Sequence, residues 1–321
     1  MRLELALATT AAVGTTATPY ARQSSSPIQL FNFSTPIPFE NSFLASESQL
    51  LATTLASNNL YQLNPQAESP SAESIAQLPG ATGVTGVTQI VPGKFAVLGG
   101  VAKNVTYGYY NETVYTVDFN NNAADNTPTV EVVASLPDAL LLNGVAALPA
   151  APHVILITDS IAYCIWRVDT TTGAVDKVLS DEPTLSVPAN ATFPLGANGL
   201  KIHGGHAYFT NTGSGLFARV PITAAGDKAG EVEVIATVPA GTNFDDLAVD
   251  EAGIAYLAQS PGAVVRVTPD GETSFVVGAD GDTTLAGPTS ITLPKGGKKA
   301  YVTTRGAVAD GVSGQLWEIS L

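Results

Sequence analysis

Ile165-Trp166-Arg167-Val168 ends a strand-like apolar stretch, and the same ending returns five more times along the chain. The other copies are Leu60-Tyr61-Gln62-Leu63, Val114-Tyr115-Thr116-Val117, Phe217-Ala218-Arg219-Val220, Val264-Val265-Arg266-Val267 and Leu316-Trp317-Glu318-Ile319. Their second residues fall at 61, 115, 166, 218, 265 and 317, in steps of 54, 51, 52, 47 and 52. A period near fifty with several strands per period marks a β-propeller blade. The chain is therefore read as all-β, a single six-bladed β-propeller over residues 28–321. The last repeat offers only three strand candidates, Ser290–Leu293, Ala300–Thr304 and Gln315–Leu321. Ile28–Phe33 alternates like a strand far ahead of the first complete blade. It is expected to close the ring as the outer strand of the last blade, which removes an exposed edge.

The composition fits this reading. Charged residues make up 13% of the 321, and there are 30 Gly and 21 Pro, as short strands joined by tight turns require. The formal net charge is −14, and no basic cluster is longer than Lys298-Lys299, so a phosphate-tracking nucleic-acid surface is not expected. No segment beyond the N-terminus is long and apolar enough to span a membrane. Nothing in the sequence asks for an oligomer. The lone Cys164 cannot form an internal disulfide and reads as a small core residue.

The N-terminus begins Met1-Arg2-Leu3-Glu4-Leu5 and runs through an Ala/Thr-rich stretch to Ala21, read as a signal peptide over 1–21 with a flexible joint at 22–27. Four N-glycosylation sequons, at Asn32, Asn104, Asn111 and Asn190, agree with a secreted, extracellular glycoprotein. The two longest insertions, Gly99–Glu112 and Ser180–Leu195, are candidate lids.

The innermost strands of a propeller converge on a central channel, so the residues that begin them are read as the functional site. These starts are Glu40-Asn41-Ser42, Gly83-Val84-Thr85-Gly86, Asn143-Gly144, Asn198-Gly199, Asp245-Asp246 and Gly287-Pro288-Thr289-Ser290. Four carry a carboxylate or amide oxygen, and glycine stands in the other two. Glu40, Asn143, Asn198 and Asp245 together suit a hard divalent cation such as Ca²⁺. Each alone also reads as ordinary structure: Asn-Gly is a common turn dipeptide, and Asp245 could brace a loop. His203-Gly204-Gly205-His206 reads as a hairpin turn before it reads as a zinc pair. No nucleophile elbow, P-loop or dinucleotide fingerprint is present.

The Glu, Asn, Asn-Gly-Leu and Asp starts, with Asp250 five residues after Asp245, resemble the senescence marker protein/gluconolactonase (regucalcin) family over most of the chain after residue 35. The resemblance implies a divalent metal on Glu40, Asn143, Asn198 and Asp245, with Asp245 as the base that activates water against a lactone. Asp246 stands where that family usually has glycine. Phe39-Glu40-Asn41, Leu195–Lys201, Tyr208–Thr212 and Ala286–Ser290 look like a secreted fungal branch that includes hetero-Diels-Alderases. This second resemblance implies an enzyme joining a tropolone-type quinone methide to an apolar cyclic terpene of the humulene type, with no cofactor required. Glu40, Asp245 and Asp246 are then the acid–base candidates. Asn143, Asn198, Tyr107, Tyr109, Phe193, Phe244 and Arg305 are the candidate substrate contacts. A metal-dependent lactonase or ester hydrolase and a non-catalytic secreted binding propeller remain open beside it.

Overall fold

A computed structural model describes residues 21–22, 26–103, 108–120, 127–180, 182–239, 241–279, 282 and 284–321. Six antiparallel sheets follow one another along the chain. Their innermost strands are Phe39–Ser46, Gly83–Val91, Leu142–Leu148, Ala197–His203, Asn243–Val249 and Pro288–Thr292, which begin blades one to six. Each innermost strand packs on the next, and blade six packs on blade one, so the ring is closed. Among the described residues no helix is long and apolar enough to cross a membrane.

The repeated tetrapeptide is the third strand of every blade, and its alternation explains the packing. Its first residue faces the following blade, and its second and fourth face the preceding one. Leu60 of blade one thus meets Tyr115 and Val117 of blade two, and Val114 of blade two meets Trp166 and Val168 of blade three. The pattern continues with Ile165 against Ala218 and Val220, Phe217 against Val265 and Val267, and Val264 against Trp317 and Ile319. Leu316 against Tyr61 and Leu63 completes the circle. Six apolar layers result, each shared by two blades.

The ring closes as the sequence suggests. Ile28–Asn32 pairs antiparallel with Gln315–Ser320 as the outermost strand of blade six, with Ile28 opposite Glu318 and Asn32 opposite Gln315. Directly after it, Phe33 stacks within 4.7 Å of Phe39 and 5.4 Å of Tyr61, sealing the layer between blades six and one. Ala21 and Arg22 pair in parallel with Ser274 and Phe275 on the outer edge of blade five. Residues 1–20, over which the signal peptide is expected, lie outside the described residues.

Both insertions rise on the face where the innermost strands begin. Gly99–Glu112 lengthens a hairpin, with Val101 opposite Tyr110 and Ala102 opposite Tyr109. Ser180–Leu195 is fixed rather than free. Asn211 Nδ2 donates to the carbonyls of Thr184 (2.8 Å) and Ser186 (2.7 Å), and Gly213 N donates to Leu195 O at 2.6 Å. Gly204 and Gly205 both adopt positive φ, so the His203–His206 segment is a turn.

Because Phe39 is fully buried in the closing layer, Phe39→Ala is expected to cost roughly 3–5 kcal/mol of folding stability. A urea titration against the wild type measures it.

Candidate functional site at the channel mouth

Every innermost strand starts with a β-bulge against its neighbour. The register skips between Phe39 and Ser42, Val84 and Val87, Leu142 and Val145, Ala197 and Leu200, Phe244 and Leu247, and Pro288 and Ser290. A bulge re-aims side chains and interrupts the ladder. The first bulged residues are Glu40, Thr85, Asn143, Asn198, Asp245 and Thr289, and they form the ring at the mouth. The sequence alignment reads four of the six and misplaces two, because threonine rather than glycine occupies the position in blades two and six. Gly83 serves packing instead: a Cβ there would lie 2.5 Å from the Tyr109 hydroxyl oxygen.

The second bulged residue governs how closely the blades approach. Gly86, Gly144 and Gly199 hold it in blades two to four, and none of the three has a positive φ. A Cβ on Gly86 would collide with Asn143 O, one on Gly144 with Asn198 O, and one on Gly199 with Asp246 Oδ1. These Asn-Gly pairs are therefore not turns; the glycine lets the next blade's strand press against it. Threonines on the second strands lock the arrangement. Gly144 N donates to Thr158 Oγ1 at 2.9 Å and Gly199 N to Thr210 Oγ1 at 2.9 Å. Each hydroxyl then donates across to the following blade, Thr158 to Asn198 O and Thr210 to Asp245 O.

In blades five and one the same position carries Asp246 and Asn41, and with Ser290 of blade six, which follows the single bulged residue Thr289 and pairs with Thr303, these join into one polar chain. Lys201 Nζ lies 2.7 and 2.9 Å from the two carboxylate oxygens of Asp246. Ser290 Oγ stands 3.1 Å from Asp246 Oδ2 and 3.3 Å from Asn41 Oδ1, and Ser42 N donates to Asn41 Oδ1 at 2.8 Å. Asp246 is 1% exposed. Its oxygens are taken up by this chain, and it forms part of the inner wall.

The open carboxylates are Glu40 and Asp245. Burial, followed by the negative charge of Asp245, pushes the Glu40 pKa well above the usual carboxylate range, while Arg305 works in the opposite direction. Burial raises Asp245 to about 7, with Arg305 lowering it, Asp246 raising it and a hydrogen bond from Asn198 lowering it. Arg305 follows the second strand of blade six, not its innermost strand, and donates from Nη2 to Ser260 Oγ at 3.0 Å. Tyr109 completes the group. Its ring is buried, and burial and the nearby Glu40 and Glu112 charges keep its phenol protonated.

One detail bears on a metal. Asn198 Nδ2 donates to Thr212 Oγ1 at 2.9 Å, and Thr212 Oγ1 itself donates to Phe244 O at 2.9 Å. This fixes the amide's orientation and leaves Asn198 Oδ1 buried without a partner. An orphaned carbonyl oxygen on a residue whose amide reaches Asp245 suits a hard cation, although the described residues contain no cluster of three or more His, Cys, Asp or Glu suited to a metal.

The remaining expected contacts separate. Asn143 is buried in the ring. Phe193 is half-buried in the fixed insertion above blade four. Phe244 is fully buried with Phe217 and Val265 between blades four and five, so it does not line the mouth. Tyr107 and Asn104 lie outside the described residues. Asn32, Asn111 and Asn190 are exposed. Thr85, Lys201 and Ser290 were not singled out from the sequence, although an alignment anchored on the bulge would have found them.

No family model matches the chain. It is 29% identical over 191 residues to a Phoma protein named "Putative hetero-Diels-Alderase", covering 54% of each chain. A Sarocladium schorii protein named "Putative hetero-Diels-Alderase asR5" is 28% identical over 172 residues, 49% of this chain and 42% of that one. The chain is thus matched over about half the length of these relatives. In fold it is similar to the calcium-binding protein regucalcin from Agrobacterium tumefaciens, with a TM-score of 0.63, 18% identity and 94% of both chains covered. Sequence likeness points to the hetero-Diels-Alderases, and the fold is that of the regucalcin propellers.

Removing Asp246 leaves Lys201 facing a gap. Asp246→Ala is expected to cost roughly 3 kcal/mol in urea denaturation, with part of the loss recovered in Asp246→Ala/Lys201→Met. Equal losses in the single and double variants would show that the pair is not what holds this wall.

Proposed function

We propose that the protein is a biosynthetic cyclase of the hetero-Diels-Alder type, working at the channel mouth on a quinone methide and an apolar cyclic alkene. The observation that carries this reading is the pairing of Glu40 and Asp245. Two acids with raised pKa values, the buried Glu40 and the half-buried Asp245, meet at the mouth beside the exposed Arg305 cation and the protonated Tyr109 phenol. The similarity to proteins named as hetero-Diels-Alderases supports it.

The chemistry follows from those states. Both carboxyls hold their protons to higher pH than ordinary acids do, and in this reading Glu40 serves as the acid and Asp245 as the base. A hydroxymethyl-bearing tropolone presented to them loses water. Glu40 protonates the departing hydroxyl, Asp245 takes the ring hydroxyl proton, and the substrate becomes a quinone methide. The alkene then adds across the C=C–C=O unit, forming one C–C and one C–O bond, with no further proton to move. For that step the site supplies proximity and donors to the carbonyl oxygen, namely Arg305 and Tyr109. Tyr110 and Leu140 are exposed on the rim between blades two and three and give an apolar partner a surface.

Asn198 Oδ1 favours a second reading, a metal-dependent lactonase. Glu40, Asn143, Asn198 and Asp245 would hold the ion, which would supply Lewis-acid polarisation of the lactone carbonyl. Asp245 would then accept the proton of the attacking water.

The test supplies humulene with a hydroxymethyl tropolone and looks for the coupled adduct by mass spectrometry. Turnover is expected to rise with pH through about 7 as Asp245 ionises, and to fall again where Glu40 loses its proton. Glu40→Gln is expected to slow coupling about 100-fold from the alcohol, and far less from a preformed quinone methide. Lactone hydrolysis that requires added Ca²⁺, with no adduct, would replace this reading with the second.

A further inference from the structure

Glu112 is a buried acid that the proposed chemistry does not use. Glu112 lies on the third strand of blade two and is 1% exposed. Its backbone carbonyl accepts from Leu136 N at 2.8 Å, and its Oε1 accepts from Leu142 N at 3.1 Å. One residue thereby ties both ends of the 136–142 crossing from blade two to blade three. Midway along, Tyr109 N donates to Leu140 O at 2.8 Å. From the other side, Asp159 accepts from Leu140 N at 2.9 Å and Leu141 N at 3.0 Å. The residue that follows the tied end is Asn143, in the mouth ring. Gly100 makes room for the arrangement, since a Cβ there would lie 2.9 Å from Tyr109 Cβ and 3.1 Å from Glu112 Oε2.

We propose that Glu112 is a positioning residue which fixes the 136–142 crossing and, through it, sets Asn143 and Tyr109 at the channel mouth. What the mouth does with them rests on the function proposed above, but the anchoring does not. The groups around the carboxyl decide its state. Burial pushes its pKa to about 8; the Leu142 amide and the Lys103 ammonium lower it, and the Asp159 charge raises it. At neutral pH Glu112 is a neutral acid that still accepts from Leu142. As pH rises through about 8, a desolvated carboxylate forms beside Asp159, and the anchoring gained from the neutral state is lost. Glutamine keeps the acceptor and cannot ionise, whereas alanine removes the anchor.

Hydrogen exchange of the 136–143 amides at pH 7 and pH 9, corrected for intrinsic rates, tests this. The wild type is expected to lose about tenfold protection at pH 9. Glu112→Gln should keep it at both pH values, and Glu112→Ala should lose it at both. A folded Glu112→Ala with wild-type protection, or a Glu112→Gln that still loosens at pH 9, overturns the proposal. If the alanine variant does not fold, the glutamine variant decides alone. No substrate enters the measurement, so an absence of coupled adduct would overturn the cyclase reading and leave this one standing.

Discussion

Every apolar layer in this ring belongs to two blades at once. The third-strand tetrapeptide sends one side chain forward and two backward, so no blade can bury its own faces without both neighbours. A slip of one residue in any third strand would exchange its forward and backward sets. The closing layer is the most exposed to failure, since blade six has only three strands of its own. The chain answers by returning Ile28–Asn32 to that blade and placing Phe33 against Phe39 and Tyr61. The strand that closes the ring thus leads directly into the strand that carries Glu40.

The inner ring divides into two halves for a packing reason. Glycine at the second bulge position lets blades two to four pack backbone against neighbouring blade. Asn41, Asp246 and Ser290 fill the space with side chains in the other half and draw Lys201 in to neutralise Asp246. The chemistry is divided in the same way. Glu40, Asp245 and Arg305 come from blades one, five and six, and blades two to four contribute the neutral Thr85, Asn143 and Asn198. The charged side chains of the mouth ring belong to the closure side, and the two insertions rise on the other.

The sequence was legible wherever one interaction repeated. Six copies of the tetrapeptide reported six copies of the same inter-blade contact, so blade number, strand order and ring closure could all be read. The mouth was legible where polar residues broke that pattern, at Glu40, Asn143, Asn198 and Asp245. It was misread where the deciding quantity was local register. Glycines at 83 and 287 looked equivalent to the ring residues because bulges shift alignment by one or two positions, and the shift places Thr85 and Thr289 there. The pairing of Asp246 with Lys201 was not legible because the two lie 45 residues apart in sequence. Phe244 looked like a wall because an aromatic beside a ring acid carries no sign of which face it takes.

The treatment of buried acids within one molecule separates structure from chemistry. Asp159 is fully buried and accepts from the amides of Leu140, Leu141, Ile161 and Ala162 and from the Trp166 indole. Asp246 has both oxygens on Lys201. Asp159 and Asp246 are supplied with donors, as the cost of desolvating a charge requires, while Glu112, with only the Leu142 amide among the described residues donating to its carboxyl, keeps a raised pKa. Glu40 and Asp245 receive no comparable set. They keep raised pKa values, repel one another and hold Arg305 at the rim. Placing two acids side by side with only the exposed Arg305 to offset them lowers stability as they ionise, whereas Asp159 has the donors that avoid this. The cyclase proposed above would require that arrangement despite the cost, since its first step calls for one proton held and another accepted side by side.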